Sequence, residues 1–186
     1  TDEVLKDILP PAVPLIESWT QPVNQATATA FACAGQAEAG ATVLYRVVSS
    51  AGPPTVEGSV VAAVDGSFAV SGVDVSSLAD GTLTLTVSGR DPAGNQSAYG
   101  GDRTTLKDTL APTGYSVRIE PAYINAGNPT QFAFELAGAE VGAVCQYAVS
   151  SAGGGTPVTG SATVATATSS LGPLDVSALP DALLDG

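Results

Sequence analysis

The chain repeats itself, and the repeat constrains it more than any other feature. Leu5-Lys-Asp-Ile-Leu-Pro-Pro11 returns 101 residues later as Leu106-Lys-Asp-Thr-Leu-Ala-Pro112. Phe31-Ala-Cys-Ala returns as Phe132-Ala-Phe-Glu, and Asp74-Val-Ser-Ser-Leu-Ala-Asp80 as Asp175-Val-Ser-Ala-Leu-Pro-Asp181, at the same offset. Glu38-Ala-Gly-Ala returns as Glu140-Val-Gly-Ala, Tyr45 as Tyr147 and Ser49-Ser-Ala-Gly52 as Ser150-Ser-Ala-Gly153. A period near 100 residues is too long for a solenoid turn and is the length of a whole small domain, so the chain is a tandem array of modules.

The frame of the repeat predicts how the chain is divided. Residues 1–9 match the end of a repeat and are expected to be the final strand of a preceding module. Residues 10–109 make one complete module, and residues 110–186 a second one lacking its last two strands. The opening residues are too charged and too few for a signal peptide, so the sequence reads as a piece of a longer polymer.

Strand-length alternation bounded by turn residues recurs through the first module. It predicts strands at 13–17, 26–34, 42–49, 56–63, 67–71, 82–89 and 97–107. The clearest is Thr82–Ser88, where Leu83, Leu85 and Val87 alternate with threonines. Asp91-Pro-Ala-Gly-Asn95 is a turn, with Gly94 and Asn95 both suited to positive φ. No helical period is present; Val75–Leu78 is long enough for one 3₁₀ turn. Seven short strands in about 100 residues define an all-β architecture of tandem immunoglobulin-like β-sandwich modules. Disorder is the competing reading of a Gly- and Pro-rich acidic chain, but only 13% of residues are charged and the alternating runs are clear.

Composition narrows the function. The chain has no His, so histidine general-base catalysis and imidazole metal ligation are excluded. Six Lys and Arg against 18 Asp and Glu give a net charge of −12, which argues against nucleic acid and anionic membranes as partners. No run approaches the 18 or so apolar residues that span a bilayer. The acids are scattered over turns without a cleft-forming insertion, so paired-carboxylate hydrolysis has no obvious seat. No enzymatic activity is expected. Cys33 and Cys145 fall in different repeats and read as isolated thiols rather than a disulfide.

The strand, the Asp91-Pro-Ala-Gly-Asn95 turn, the next strand and Lys107-Asp-Thr-Leu-Ala-Pro112 together resemble the end of a bacterial immunoglobulin-like repeat. Asp74-Val-Ser-Ser-Leu-Ala-Asp-Gly81 resembles the loop before the penultimate strand of such repeats. These modules stack in large secreted and cell-surface adhesins, notably in calcium-dependent extender regions. The resemblance implies a non-enzymatic structural spacer at the bacterial cell surface, whose partners are the neighbouring modules of the same polypeptide. It also implies calcium as the ion that stiffens the junctions. The cysteines and the incomplete second module depart from that pattern.

Calcium takes six to eight oxygen ligands, so the candidates are acids at module ends. Asp108 with Glu120 would serve one junction, helped by turns such as Asp65 or Asp74. Asp91 and Asn95, at the opposite pole, would face a preceding neighbour near Asp7 and Glu17. Each has a metal-free reading too: Asp and Asn close turns by bonding their own backbone, and Asp108 is equally a solvated linker residue. A glycan- or protein-binding module is the alternative function. It needs exposed aromatics such as Trp19, Tyr99, Tyr115 or Tyr123 gathered on one face.

Overall fold

A computed structural model of the chain describes residues 6–181 and divides at Leu110/Ala111 into two compact units. Neither contains a helix among the described residues, and all twelve strands pair antiparallel.

In unit 1 the strands are β1 (Leu15–Trp19), β2 (Phe31–Gln36), β3 (Thr42–Ser49), β4 (Gly52–Val61), β5 (Ser67–Val73), β6 (Gly81–Arg90) and β7 (Gly100–Lys107). They form a three-stranded sheet, β1-β2-β5, and a four-stranded sheet, β4-β3-β6-β7. The sandwich is immunoglobulin-like, with β4 paired to β3 rather than extending the sheet of β1, β2 and β5. Alternation explains the core. From the first sheet come Ile16, Phe31, Cys33, Phe68 and Val70; from the second come Val43, Val47, Leu83, Leu85 and Val87. Val75 and Leu78 close one end from the connection before β6, and Val75 accepts the Leu78 amide at 3.1 Å in a single turn. Each buried Leu, Val or Phe contributes about 1.5–3 kcal/mol.

Two predicted boundaries shift for identifiable reasons. Residues 26–30 are not strand, because Asn24 Oδ1 accepts from the amides of Ala26 and Thr27 and folds the segment into a capped turn. Residues 97–99 precede β7 as a separate contact. Ser97 donates its amide to the Gly89 carbonyl, while Ser88 Oγ donates to the Ser97 carbonyl at 2.8 Å. In the Asp91–Asn95 turn only Gly94 takes positive φ, at 95°; Asn95 does not.

Unit 2 contains β8 (Ser116–Glu120), β9 (Phe132–Ala137), β10 (Val144–Ser151), β11 (Gly154–Thr163) and β12 (Thr168–Leu174). They form the sheet β12-β9-β8 and the pair β10-β11. Each strand is the image of one in unit 1, and the registers coincide except at the bulge between Ile16 and Ser18 in β1, which β8 lacks. Leu15 faces Gln36 as Ser116 faces Ala137, and Thr42 faces Val61 as Val144 faces Thr163. The offset is 101 for β8 and β9, 102 for β10 and β11, and 101 again for β12. Phe134, Leu136, Ala139 and Val164 form its core, and Phe134 meets Tyr147 edge to face at 5.4 Å. One packing detail is common to both units: Tyr45 lies over Gly58, and Tyr147 over Gly160, so closely that neither glycine has room for a Cβ.

Residues 6–9, expected to end a preceding module, form no strand, and the remainder of that segment lies outside the described residues.

Candidate functional site

The acids named from the sequence are placed at strand ends and turns, and the structure groups only some of them. Asp91 sits at the end of β6 and is 7% exposed. Its two carboxylate oxygens accept from the backbone and side-chain amides of Asn95, each at 2.8 Å. The same Asn95 Nδ2 reaches the carbonyl of Asp7 at 3.3 Å. Asp91, Asn95 and Asp7 therefore meet at one end of unit 1. The Asn95 side chain, ahead of its backbone bonds, holds the Asp91 carboxyl below the ordinary carboxylate range.

Each of the other candidates has its own surroundings within its unit. Glu17 is exposed on β1. Asp108 Oδ1 accepts the Leu110 amide at 3.0 Å, and its own amide donates to the Val23 carbonyl. Glu120 pairs with Arg118 on the exposed face of β8. Asp65 and Asp74 close turns by accepting from Ser67 and Ser76, which lowers the pKa of each.

Calcium can be tested against this geometry. Among the described residues no three acidic or thiol side chains converge on a point that could hold a metal. The Asp91 turn brings two carboxylate oxygens and one carbonyl together, against the six to eight oxygens calcium takes, and Asn95 already occupies both carboxylate oxygens. The described residues of unit 1 do not by themselves form a calcium cage.

A carboxylate not singled out from the sequence does more structural work. Asp80, in the connection before β6, receives Lys107 Nζ at 2.8 Å and the Thr109 amide at 3.0 Å. Lys107 Nζ also donates to the Leu78 carbonyl at 2.7 Å, and the lysine side chain is only 3% exposed. Lys107 is the largest influence holding the Asp80 carboxyl below its ordinary range, followed by the Thr109 amide. This clamp fixes the end of β7 and the first residue beyond Asp108. A signal for it existed: Asp80 and Lys107 both lie in segments that the repeat preserves, as Asp181 and Lys6.

The aromatics are not gathered in unit 1. Trp19 packs on the core with the Arg103 guanidinium 5.5 Å from its ring centre, and its Nε1 donates to the Thr104 carbonyl. Tyr99 is covered instead by Arg46, at 4.6 Å, which is in turn paired with Glu57 at 2.7 Å. Each exposed face is thus taken by a different arginine. Tyr115 and Tyr123 belong to unit 2, where both are exposed. Both cysteines are free. Cys33 is buried, which pushes its thiol up to about 11, and Cys145 is half-buried.

No protein-family model matches the chain, and no curated protein matches it in sequence. The chain is similar to several solved structures, among them the following three. A tetra-tandem repeat from the extending region of a large adhesion protein matches at 24% identity with a TM-score of 0.42, over 87% of this chain and 41% of its own. A 1.5-MDa bacterial ice-binding adhesin matches at 19% identity and a TM-score of 0.44, over 89% and 54%. A Ca²⁺-stabilized adhesin that helps an Antarctic bacterium reach out and bind ice matches at 21% identity and 0.44, over 88% and 40%. The chain spans roughly half or less of each structure's length.

Proposed function

We propose that this chain is a non-enzymatic spacer, built of tandem immunoglobulin-like modules that extend a bacterial surface or secreted adhesin. The observation that carries the reading is the repeat in three dimensions: five strands recur at offsets of 101 and 102 residues, with the β3–β4 and β2–β5 registers repeated in β10–β11 and β9–β12. A duplicated module whose described loops hold no catalytic grouping serves through length. A strand of eight to ten residues covers about 25–35 Å, so each module adds reach on that scale. Its partners in this reading are further modules of the same polypeptide. The aromatic-platform alternative receives no support from Trp19 and Tyr99, each engaged by its own arginine.

Calcium enters the proposal as a stiffener of the acidic module ends, at Asp108, Glu120 and the Asp91–Asn95–Asp7 group, where neutralising carboxylates relieves repulsion. At about 100 times its dissociation constant, a bound ion stabilises by roughly 2.7 kcal/mol. The spacer reading is tested by small-angle scattering of this chain against one carrying an additional copy of residues 10–109. The maximum dimension should grow by about one module length; an unchanged dimension rejects the spacer. The calcium component is tested separately by chelation, which should lower the melting temperature and broaden the distribution of sizes. If chelator and added calcium both leave these quantities unaltered, calcium is removed from the proposal.

A further inference from the structure

The first and last strands of unit 1 lie side by side. β1 is the edge of one sheet and β7 the edge of the other, and residues 13–23 run along β7 in its own direction. Gly100 and Gly101 lie against Val13 and Pro14. Arg103 Nη2 donates to the Ile16 carbonyl at 2.9 Å, and Trp19 Nε1 donates to the Thr104 carbonyl at 3.1 Å. Val23 then forms a parallel bridge with Lys107. Its amide donates to the Leu106 carbonyl and its carbonyl accepts the Asp108 amide, both at 2.9 Å.

Both sides of this contact rise in step, so it is parallel throughout, and that decides how it is loaded. Tension along the polypeptide enters unit 1 ahead of β1 and leaves it after β7. It draws the first strand backward and the last one forward, past each other. Hydrogen bonds across a parallel contact stretch together under such a load and must give way together. In an antiparallel pair such as β3–β4, tension between the two strand ends at one side parts one bond at a time.

The contact is fastened to the body of the unit on both sides. Ile16 and Val23 are buried in the core. Thr20, between them, donates its amide to the Ala32 carbonyl and accepts the Ala32 amide on its hydroxyl, so this segment cannot slide without leaving β2. The Arg103 guanidinium lies 5.5 Å from the Trp19 ring centre, which joins two of the cross-links into one group. At the exit, Lys107 is held by the Leu78 carbonyl and by Asp80, and Asp80 holds the Thr109 amide as well.

We propose that unit 1 is a load-bearing element whose resistance to stretching resides in this parallel clasp, made by Trp19, Val23, Arg103 and Lys107. The load itself rests on the spacer reading above; the clasp belongs to unit 1 alone. Each of its bonds has only the ordinary worth of a hydrogen bond at equilibrium, and the geometry makes them act together along one axis. Mechanical resistance is thereby separated from melting temperature. Contacts elsewhere in the sandwich are still formed when the clasp parts, so weakening them lowers stability without speeding forced unfolding.

The experiment holds the full chain by its two termini in an optical trap, in chelator so that calcium plays no part, and measures the unfolding rate of unit 1 at constant force. Unit 1 is the longer of the two releases, at about 3.3–3.6 Å for each residue freed. Trp19→Phe with Arg103→Met removes the bonds to the Thr104 and Ile16 carbonyls and should raise that rate roughly tenfold. Gly58→Ala strains the β3–β4 contact, which outlasts the clasp. It should lower the melting temperature yet change the rate less than about twofold. Handles at Ala51 and at the C-terminus pull instead from the end of the sheet where Ser49 meets Leu83 and Gly81 meets Lys107. Bonds there part singly, and unit 1 should open at lower force. That comparison leaves the clasp residues unaltered, so it decides the matter even where the double variant does not fold. Acceleration by Gly58→Ala equal to that of the clasp variant overturns the proposal, and so do equal forces in the two directions. Neither result bears on the scattering test of the spacer reading, which depends on length alone.

Discussion

Lys107, the last residue of β7, places its ammonium 2.8 Å from the carboxylate of Asp80, and almost no water reaches the lysine. A buried ammonium held by one carboxylate and one carbonyl is costly to leave unpaired. Asp80→Ala should therefore lower the melting temperature of unit 1 by on the order of 5 °C. Lys107→Met, which removes the buried charge and leaves the more exposed Asp80 carboxylate on the Thr109 amide, should cost less. Differential scanning calorimetry of the two variants decides the order; the reverse order would show that the lysine's packing and its bond to the Leu78 carbonyl outweigh its pairing with Asp80.

Acid should loosen unit 1 through its depressed carboxylates. Hydrogen bonds from Lys107 hold the Asp80 pKa down, and those from Asn95 hold that of Asp91. A group whose folded pKa lies below its unfolded value stabilises above the unfolded pKa, about 3.9 for Asp, and loses that stabilisation as pH falls through the folded pKa. The melting temperature should stay level from neutral pH to about 5 and drop below about 4. Asp91→Asn should shorten that drop.

Tyr45 and Gly58 test the shared packing of the two units. A Cβ at Gly58 collides with the Tyr45 ring, so Gly58→Ala should cost about 1–3 kcal/mol, the usual range for overpacking. Combining it with Tyr45→Leu should recover part of the loss. Gly160→Ala should behave alike against Tyr147. A double-mutant cycle in urea measures the coupling.

Thr105 is buried on β7 with a hydroxyl that finds no partner among the described residues. Thr105→Val removes an unsatisfied group while keeping the shape. It should leave stability unchanged or raise it by about 1 kcal/mol, read from the same denaturation curves.

The two thiols should react at different rates. Cys33, pushed up to about 11 by burial, should react only when unit 1 unfolds, while half-buried Cys145 reacts in the native chain. Thiol counting with and without denaturant should give one fast group and one that waits.

The repeat and the alternation made most of the strands legible. β3 was placed at its observed ends, and Leu83, Leu85 and Val87 face the core as their spacing requires. The start of β2 was missed because a side-chain cap, Asn24 onto Ala26 and Thr27, competes locally with extended backbone in a segment of acceptable β propensity. The Asp91–Asn95 turn was readable because its bonds are local. The repeat marked Asp80 and Lys107 singly but not their pairing, since they lie 27 residues apart and meet only once β6 and β7 have paired. Arg103 on Trp19 and Arg46 on Tyr99 were hidden for the same reason.

The change of offset from 101 to 102 and back has a location. The connection between β2 and β3 is residues 37–41, and its image is 138–143, one residue longer; that between β4 and β5 is 62–66, and its image is 164–167, one shorter. These two connections are bonded to each other in both units, Ala62 to Ala41 in one and Val164 to Ala143 in the other. An insertion in one turn is thus offset by a deletion in the turn it touches, and neither sheet has been asked to move. The length difference between these two copies is absorbed where two turns touch, so the β2–β5 and β3–β4 pairings keep their registers in β9–β12 and β10–β11 even as the sequences of the copies drift apart.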